Sequence, residues 1–254
     1  MPATTHIALV TGGSRGLGKN MALSLAKRGI DVILTYHSRK EEAEAVVAEI
    51  EQLGQKAVAL QLNTGQVADF VPFTASLHDV LSQAFGTNRF DFLINNAGVA
   101  GHTPIGNTDE NEFDMLVNIH FKGVFFLTQH LLPLMNDGGR IINISTGLSR
   151  FTMPGYAVYA SLKGAIETLT KYMASELGSR RIAVNVVAPG AIETDFGGGL
   201  VRDNEHVNKH IVGATALGRV GLPGDIGGVV AFLCTDEAGW INAQRIEVSG
   251  GMNL

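Results

Sequence analysis

The chain has 254 residues, 45% of them hydrophobic and 17% charged, and its formal net charge is -5 at pH 7. Such a length and composition are typical of one α/β domain with a substantial core and argue against a disordered chain. The negative charge and the lack of a long Lys/Arg run argue against nucleic-acid and anionic-membrane partners.

The redox and targeting signals predict a cytoplasmic protein. Cys234 is the single cysteine, so no internal disulfide can form. The N-terminus lacks a secretory pattern, and no stretch of 18 uninterrupted apolar residues occurs that would cross a membrane.

Short β-branched runs alternate with longer helical patterns along the whole chain. The predicted strands cover residues 6–10, 32–36, 57–62, 92–95, 140–145, 183–188 and 245–248. The predicted helices cover residues 17–28, 41–53, 67–85, 110–135, 156–177 and 225–233. This alternation predicts a single doubly wound, Rossmann-type α/β domain over residues 1–254. Its seven-stranded parallel sheet would be flanked by helices, with a ligand crevice at the carboxyl ends of the strands.

The first predicted strand is followed by the glycine-rich segment Thr11-Gly12-Gly13-Ser14-Arg15-Gly16-Leu17-Gly18. Unpaired N–H groups at the start of a helix bind a pyrophosphate, and glycine lets the phosphates approach the backbone. The spacing is T-G-x-x-x-G-x-G and not G-x-G-x-x-G, so a turn without a ligand is an alternative. The same residues spell G-x-S-x-G, which would make Ser14 a hydrolase nucleophile, but no earlier strand supplies an oxyanion loop.

The second predicted strand ends without an acidic residue before Glu41. An acid there would bind an adenosine ribose and repel a 2′-phosphate, whereas Arg15 and Arg39 both suit a phosphate group. This pattern favours NADPH over NADH. The alternative is that Arg39 and Lys40 only begin a solvated helix and pair with Glu41 or Glu44.

Four further motifs follow in order: Asn95-Asn96-Ala97-Gly98, Asn118, Tyr159-Ala160-Ser161-Leu162-Lys163, and Pro189-Gly190 leading to Thr194. With the glycine-rich segment, their order and spacing resemble the short-chain dehydrogenase/reductase family over the whole length. The resemblance implies an NADP(H)-dependent oxidoreductase that exchanges hydride with a ketone or an alcohol. It also implies a homo-oligomer, a dimer or tetramer.

Tyr159 and Lys163 are four residues apart in a helical pattern, so they share one face. The free phenol has a pKa of about 10, and a nearby lysine ammonium together with a positively charged oxidised nicotinamide is expected to lower it. The resemblance makes Tyr159 the catalytic acid/base, gives Lys163 a bond to the nicotinamide ribose, and makes Asn118 the holder of a relay water. Thr146 stands where the family usually has a serine that binds the substrate oxygen, with Ser145 as the alternative after a register shift.

The resemblance also implies a set of binding residues. Cofactor contacts are expected from Gly12, Ser14, Arg15, Gly16, Leu17, Gly18, His37, Ser38, Arg39, Asn63, Asn95, Ala97, Gly98, Tyr159, Lys163, Pro189, Gly190, Ile192 and Thr194. The substrate pocket is expected to include Phe151, Met153, Tyr156 and Phe196, with a mobile loop over residues 191–212.

Several functional alternatives remain at this point. A 3-oxoacyl substrate is the first choice, since the chain resembles 3-oxoacyl-carrier-protein reductases, while an NAD-dependent alcohol or sugar dehydrogenase and a non-catalytic dinucleotide sensor are the others. His206 and His210 are one turn apart, but without an H-E-x-x-H pattern a solvated lid helix is favoured over a metal site, and no metal is expected.

Overall fold

The computed structural model describes residues 5–254. Within that range seven strands form one parallel sheet in the order β3-β2-β1-β4-β5-β6-β7. The strands are β1 (Ile7–Val10), β2 (Asp31–Tyr36), β3 (Ala57–Gln61), β4 (Phe90–Asn95), β5 (Met135–Ile144), β6 (Ala183–Pro189) and β7 (Arg245–Val248). The strand order reverses between β1 and β4, and that is where a crevice opens at the carboxyl ends of the strands. The predicted fold is confirmed.

Helices cover both faces of the sheet. They are α1 (Gly16–Ala26), α2 (Lys40–Gln52), α3 (Phe70–Val80), α4 (Glu110–Val117), α5 (Gly123–Leu131), α6 (Ala157–Glu176), α7 (Leu200–Asp203), α8 (Glu205–Ala214) and α9 (Pro223–Leu233). One core joins the sheet to α1, α2 and α9, and the other joins it to α3, α5 and α6. No helix within residues 5–254 combines the length and apolarity needed to cross a membrane.

β1 shows why the strands are apolar at every position. Its residues enter the two cores alternately, with Ala8 and Val10 in one and Ile7 and Leu9 in the other. Successive side chains of a strand face opposite sides of the sheet, so a sheet covered on both faces needs apolar residues throughout.

The segment predicted as one helix over 110–135 is broken twice. A π-helical turn, Asn118–Lys122, joins α4 to α5, and α5 ends at Leu131 before a short 3-10 turn that contains Pro133. Proline lacks the N–H that would continue the α-helix. Met135, predicted as helical, is instead the first residue of β5 and is fully buried.

The segment 191–212, expected to be a mobile loop, contains α7 and most of α8. Asn204 caps α8, because its side-chain oxygen accepts hydrogen bonds from the backbone N–H groups of His206 and Val207, each at 3.1 Å. Asparagine before a helical run is an ordinary start signal. His206 and His210 lie exposed on α8, while the mobility of the segment stays a prediction.

Candidate active site

A cavity of about 910 Å³ opens at the carboxyl ends of the strands. It is bounded by the glycine-rich turn, the ends of β2 to β6, the π turn, the first half of α6, and α7 and α8. The predicted site residues that line it are Gly12, Ser14, Arg15, Gly16, Leu17, Gly18, His37, Ser38, Arg39, Asn63, Ala97, Gly98, Asn118, Thr146, Phe151, Met153, Tyr156, Tyr159, Lys163, Pro189, Gly190, Ile192, Thr194 and Phe196.

Asn95 does not line this cavity, so its assignment to the cofactor is wrong. It is buried in the sheet, where its amide nitrogen donates to Asn143 Oδ1 at 2.9 Å and to Thr128 Oγ1 at 3.2 Å. Asn95 and Asn96 face opposite sides because successive extended residues alternate, and Asn96 is the one that lines the cavity.

The glycine-rich turn is held against the end of β4. Asn96 Nδ2 donates to the carbonyl oxygens of Thr11 and Gly12 at 2.8 and 3.2 Å. Gly18 cannot be replaced freely, because a Cβ there would lie 2.1 Å from the Gly12 oxygen. α1 begins at Gly16 without a side-chain cap, so its first N–H groups are available to a phosphate.

The corner between the ends of β1 and β2 carries exposed charges. Arg15 Nη1 lies 3.8 Å from Asp195 Oδ2, and Arg39 pairs with Glu42. Arg202, and more weakly Arg15 and Arg39, hold the pKa of the Asp195 carboxyl below its usual range. Both arginines therefore reach one corner of the cavity. The alternative, pairing within the start of α2, also occurs: Lys40 pairs with Glu44 as predicted, whereas Arg39 pairs with Glu42.

Tyr159 and Lys163 lie on one face of α6 and are both buried. Lys163 Nζ donates to the Ile144 carbonyl oxygen at 2.7 Å and lies 5.7 Å from the centre of the Tyr159 ring. Burial raises the pKa of Tyr159 to about 12, against a smaller lowering by a hydrogen bond with Thr146. Burial lowers the pKa of Lys163 to about 8.

Burial is the largest effect on the Tyr159 phenol in this structure, so the expected lowering of its pKa by Lys163 together with an oxidised nicotinamide stays a prediction. Desolvation disfavours the charged form of each group, so it raises the pKa of the phenol and lowers that of the amine, and the two values move apart. At neutral pH Tyr159 is a neutral hydroxyl, which is the form of the side chain that can donate a proton.

Thr146, and not Ser145, presents its hydroxyl to Tyr159. Ser145 Oγ donates to Glu167 Oε1 at 2.6 Å, whereas the Thr146 hydroxyl is hydrogen-bonded with Tyr159. Thr146 Oγ1 also accepts from the Leu148 N–H at 3.3 Å, and its single hydrogen remains the one that it can donate. The register shift that would bring Ser145 to Tyr159 does not occur.

His120 is a site residue that the sequence reasoning missed. It lines the cavity and is 1% exposed, with its ring perpendicular to the Tyr159 ring at 5.1 Å between centres. Its Nε2 lies 2.8 Å from the Val99 carbonyl oxygen, and burial, with a smaller effect of Lys163, lowers its pKa to about 3. His120 lies two positions after Asn118, and on a regular helix that spacing puts the two side chains on opposite faces. The sequence therefore gives no reason to place both residues in one site.

The end of the cavity beyond Tyr159 is apolar. Phe196 lies 6.1 Å from Tyr159 between ring centres, and Phe151, Met153 and Tyr156 line the same end. α7, α8 and the C-terminal segment add further apolar side chains: Leu200, Val201, Val207, Ile211 and Met252. The sequence prediction did not include the last two.

Comparison with known proteins gives consistent matches over the whole chain. A family model described as enoyl-(acyl carrier protein) reductase matches residues 12–253. The hydroxynaphthalene reductase-like protein Arp2 of Metarhizium brunneum is 35% identical over 256 residues, covering 96% of this chain and 94% of the relative.

Two solved ketoreductase structures superpose with a TM-score of 0.93. The promiscuous reductase LugOII, which catalyses keto-reduction at C1 in lugdunomycin biosynthesis, is 37% identical over 99% of both chains. The angucycline C-6 ketoreductase LanV, with bound NADP, is 35% identical over 98% of this chain and 96% of the other. A second LanV structure contains NADP and rabelomycin.

Proposed function

We propose that this chain, which belongs to the short-chain dehydrogenase/reductase family, reduces the carbonyl group of a polycyclic aromatic ketone with Tyr159 as the proton donor. The chain is an NADP(H)-dependent reductase, as its similarity to the NADP-bound ketoreductases shows.

The cavity fits the phosphates of NADPH at three points. The uncapped start of α1 offers N–H groups, and the close approach of Gly18 to Gly12 leaves bare backbone for a pyrophosphate. Arg15 and Arg39 supply positive charge at the corner where a 2′-phosphate would lie. When bound, NADPH would supply the hydride that reduces the carbonyl carbon.

The observation that carries the proposal is the meeting of three side chains: Tyr159 and Lys163, which are both buried, and the half-buried Thr146. Tyr159 is protonated at neutral pH and gives its proton to the carbonyl oxygen as negative charge develops there. The Thr146 hydroxyl turns its hydrogen from the phenol to the same carbonyl oxygen and polarises it. Lys163 adds positive charge close to the phenol ring, which stabilises the phenolate left after proton transfer. Asn118, which lines the cavity, would hold a water for reprotonation.

The apolar end of the cavity supports a flat, aromatic substrate. The walls contributed by Phe151, Tyr156, Phe196 and Met252 offer ring faces and methylene surface to a polycyclic ligand. Relatives named for hydroxynaphthalene and angucycline reduction point the same way. A 3-oxoacyl thioester is the second candidate, which the carrier-protein description of the matching family model favours.

The test is turnover with matched ketones, followed by the loss of NADPH absorbance. We expect a higher kcat/KM for a fused-ring aromatic ketone such as a hydroxylated tetralone than for acetoacetyl thioesters. The reverse order would replace the first candidate by the second. NADPH binding without oxidation by any carbonyl compound would instead support a dinucleotide sensor.

A homo-oligomer, a dimer or tetramer, is also proposed. Phe113, Met115, Phe125 and Tyr172 are exposed on α4, α5 and α6, and apolar side chains exposed together favour contacts between copies. Light scattering of the purified protein tests this, and a monomer at micromolar concentration would contradict it.

A further inference from the structure

Behind the Thr146 loop lies a carboxylate that the proposed chemistry does not use. Glu167 lies one turn after Lys163 on α6, and its side chain is 17% exposed. Its Oε1 atom accepts from Ser145 Oγ and Ser149 Oγ, both at 2.6 Å, and from Arg245 Nε at 2.8 Å. Bonds to a charged acceptor are shorter and stronger than neutral ones, so Glu167 fixes all three groups.

Ser145 and Ser149 flank Thr146 in the chain, and Arg245 holds the backbone of Thr146. Arg245 Nη2 donates to the Thr146 carbonyl oxygen at 3.2 Å. Ser149 Oγ also lies 2.8 Å from that carbonyl oxygen, but its single hydrogen makes the stronger bond to the Glu167 carboxylate. Both ends of the loop segment 145–149 are thus tied to one side chain of α6.

The network continues to the wall of the substrate end. Arg245 pairs with Glu247, and Arg150 Nη2 lies 3.3 Å from Glu247 Oε1. Arg150 also donates to the Met252 carbonyl oxygen at 2.6 Å, and Met252 lines the cavity. The carboxylates of Glu167 and Glu247 thus alternate with the guanidinium groups of Arg245 and Arg150. Together they connect α6, β7 and the C-terminal segment beneath the loop that carries Thr146.

We propose that Glu167 is a positioning residue for carbonyl reduction: through Ser145, Ser149 and Arg245 it holds the Thr146 hydroxyl beside Tyr159. A hydroxyl stabilises a developing oxyanion only when its oxygen stays about 2.7–3.1 Å from it. Small displacements of a positioned group cost large factors in rate. The inference rests on the proposed function, because it needs Thr146 to act on the carbonyl oxygen.

The test is a double-mutant cycle on kcat with Glu167→Gln and Thr146→Ala. The glutamine keeps the size of the side chain but loses the charge that binds Arg245. We expect Glu167→Gln alone to lower kcat about tenfold with the KM for NADPH nearly unchanged, and to change kcat less than about twofold when Thr146 is already alanine. Glu176→Gln, at the exposed end of the same helix, is the matched control and should leave kcat unchanged.

Loss by the same factor in both backgrounds would overturn the inference, because Glu167 would then act independently of Thr146. Unchanged kcat in Glu167→Gln would overturn it as well. If Thr146→Ala alone leaves kcat intact, the role of Thr146 in the proposed function fails first and the inference fails with it. Ser149→Ala removes one tie and keeps Arg245 in place, so the same cycle with this variant decides the matter if Glu167→Gln does not fold.

Discussion

Arg15 and Arg39, at one end of the cavity, leave 47% and 52% of their side chains exposed, whereas Tyr159 and Lys163, at the other, are 8% and 5% exposed. At the exposed end the charges pair with Asp195 and Glu42 and stay in water. At the buried end desolvation moves the pKa of the phenol up and that of the amine down.

The difference separates two tasks. Exposed ion pairs are worth little in stability and exchange partners readily, so they suit a group that must bind and release a phosphate. Buried groups interact strongly and keep a defined position, so they suit the transfer of a proton to one substrate atom. Substitutions at the buried end should therefore affect kcat, and those at the exposed end should affect the choice of cofactor.

The largest effect is expected from Tyr159→Phe, which removes the proton donor and keeps the ring. We expect kcat for ketone reduction to fall about 10²–10⁴-fold, while NADPH binding, measured by fluorescence titration, changes little. Tyr172→Phe, on the exposed side of α6, is the control and should retain activity. Activity retained by the Tyr159 variant would assign the proton to another group.

Thr146→Ala should lower kcat about 100-fold, the usual cost of one lost oxyanion donor. Thr146→Ser keeps the hydroxyl and should retain most of kcat, because the methyl group makes no hydrogen bond. Steady-state kinetics with one ketone compares the two variants. Equal loss in both would show that packing of the methyl group, and not the hydroxyl, is what matters.

Arg15→Ala combined with Arg39→Ala should reduce the preference for NADPH over NADH about tenfold or more. Two charge-assisted contacts to the 2′-phosphate would be lost, while the ribose contacts stay. The ratio of kcat/KM for the two cofactors measures this, and added salt should weaken the preference of the unmodified protein. Lys40→Ala, which removes a neighbouring exposed cation paired with Glu44, should leave the ratio intact. An unchanged ratio in the double variant would place the 2′-phosphate elsewhere.

The smallest effect concerns stability. Because burial lowers the pKa of Lys163 from 10.5 to about 8, the unfolded chain binds more protons than the folded protein between those values, so the free energy of unfolding should rise with pH there. Tyr159, with its raised pKa, acts in the opposite sense, but only above about pH 10.

Urea denaturation of the cofactor-free protein between pH 7.5 and 9.5 should show the rise from Lys163, on the order of 1 kcal/mol. The rise should be absent in Lys163→Met. Exposed Arg15→Ala serves as the control with an unaltered slope. The same slope in the Lys163 variant would mean that another group titrates.

Sequence reasoning predicted those parts of the site that depend on short-range spacing. Tyr159 and Lys163 share a helical face because they are four residues apart, and the glycine-rich turn follows the first strand directly. The prediction was wrong where one residue of register decides which side chain faces the cavity: Asn96 lines it and Asn95 does not. It also left out His120 and Glu167, since their partners are separated from them by 18 to 78 positions in the chain.

The sequence alone determined the alternation of strands and helices, and with it the sheet, the position of the crevice and the family. These follow from periodicity and turn chemistry, which act over a few residues. The tertiary structure decided that Asn96 and not Asn95 faces the cavity. It also decided how strongly burial shifts the pKa of Tyr159 and Lys163, and which carboxylate lies behind Thr146. Burial and long-range hydrogen bonds arise only when distant segments pack together, and a linear pattern does not contain them.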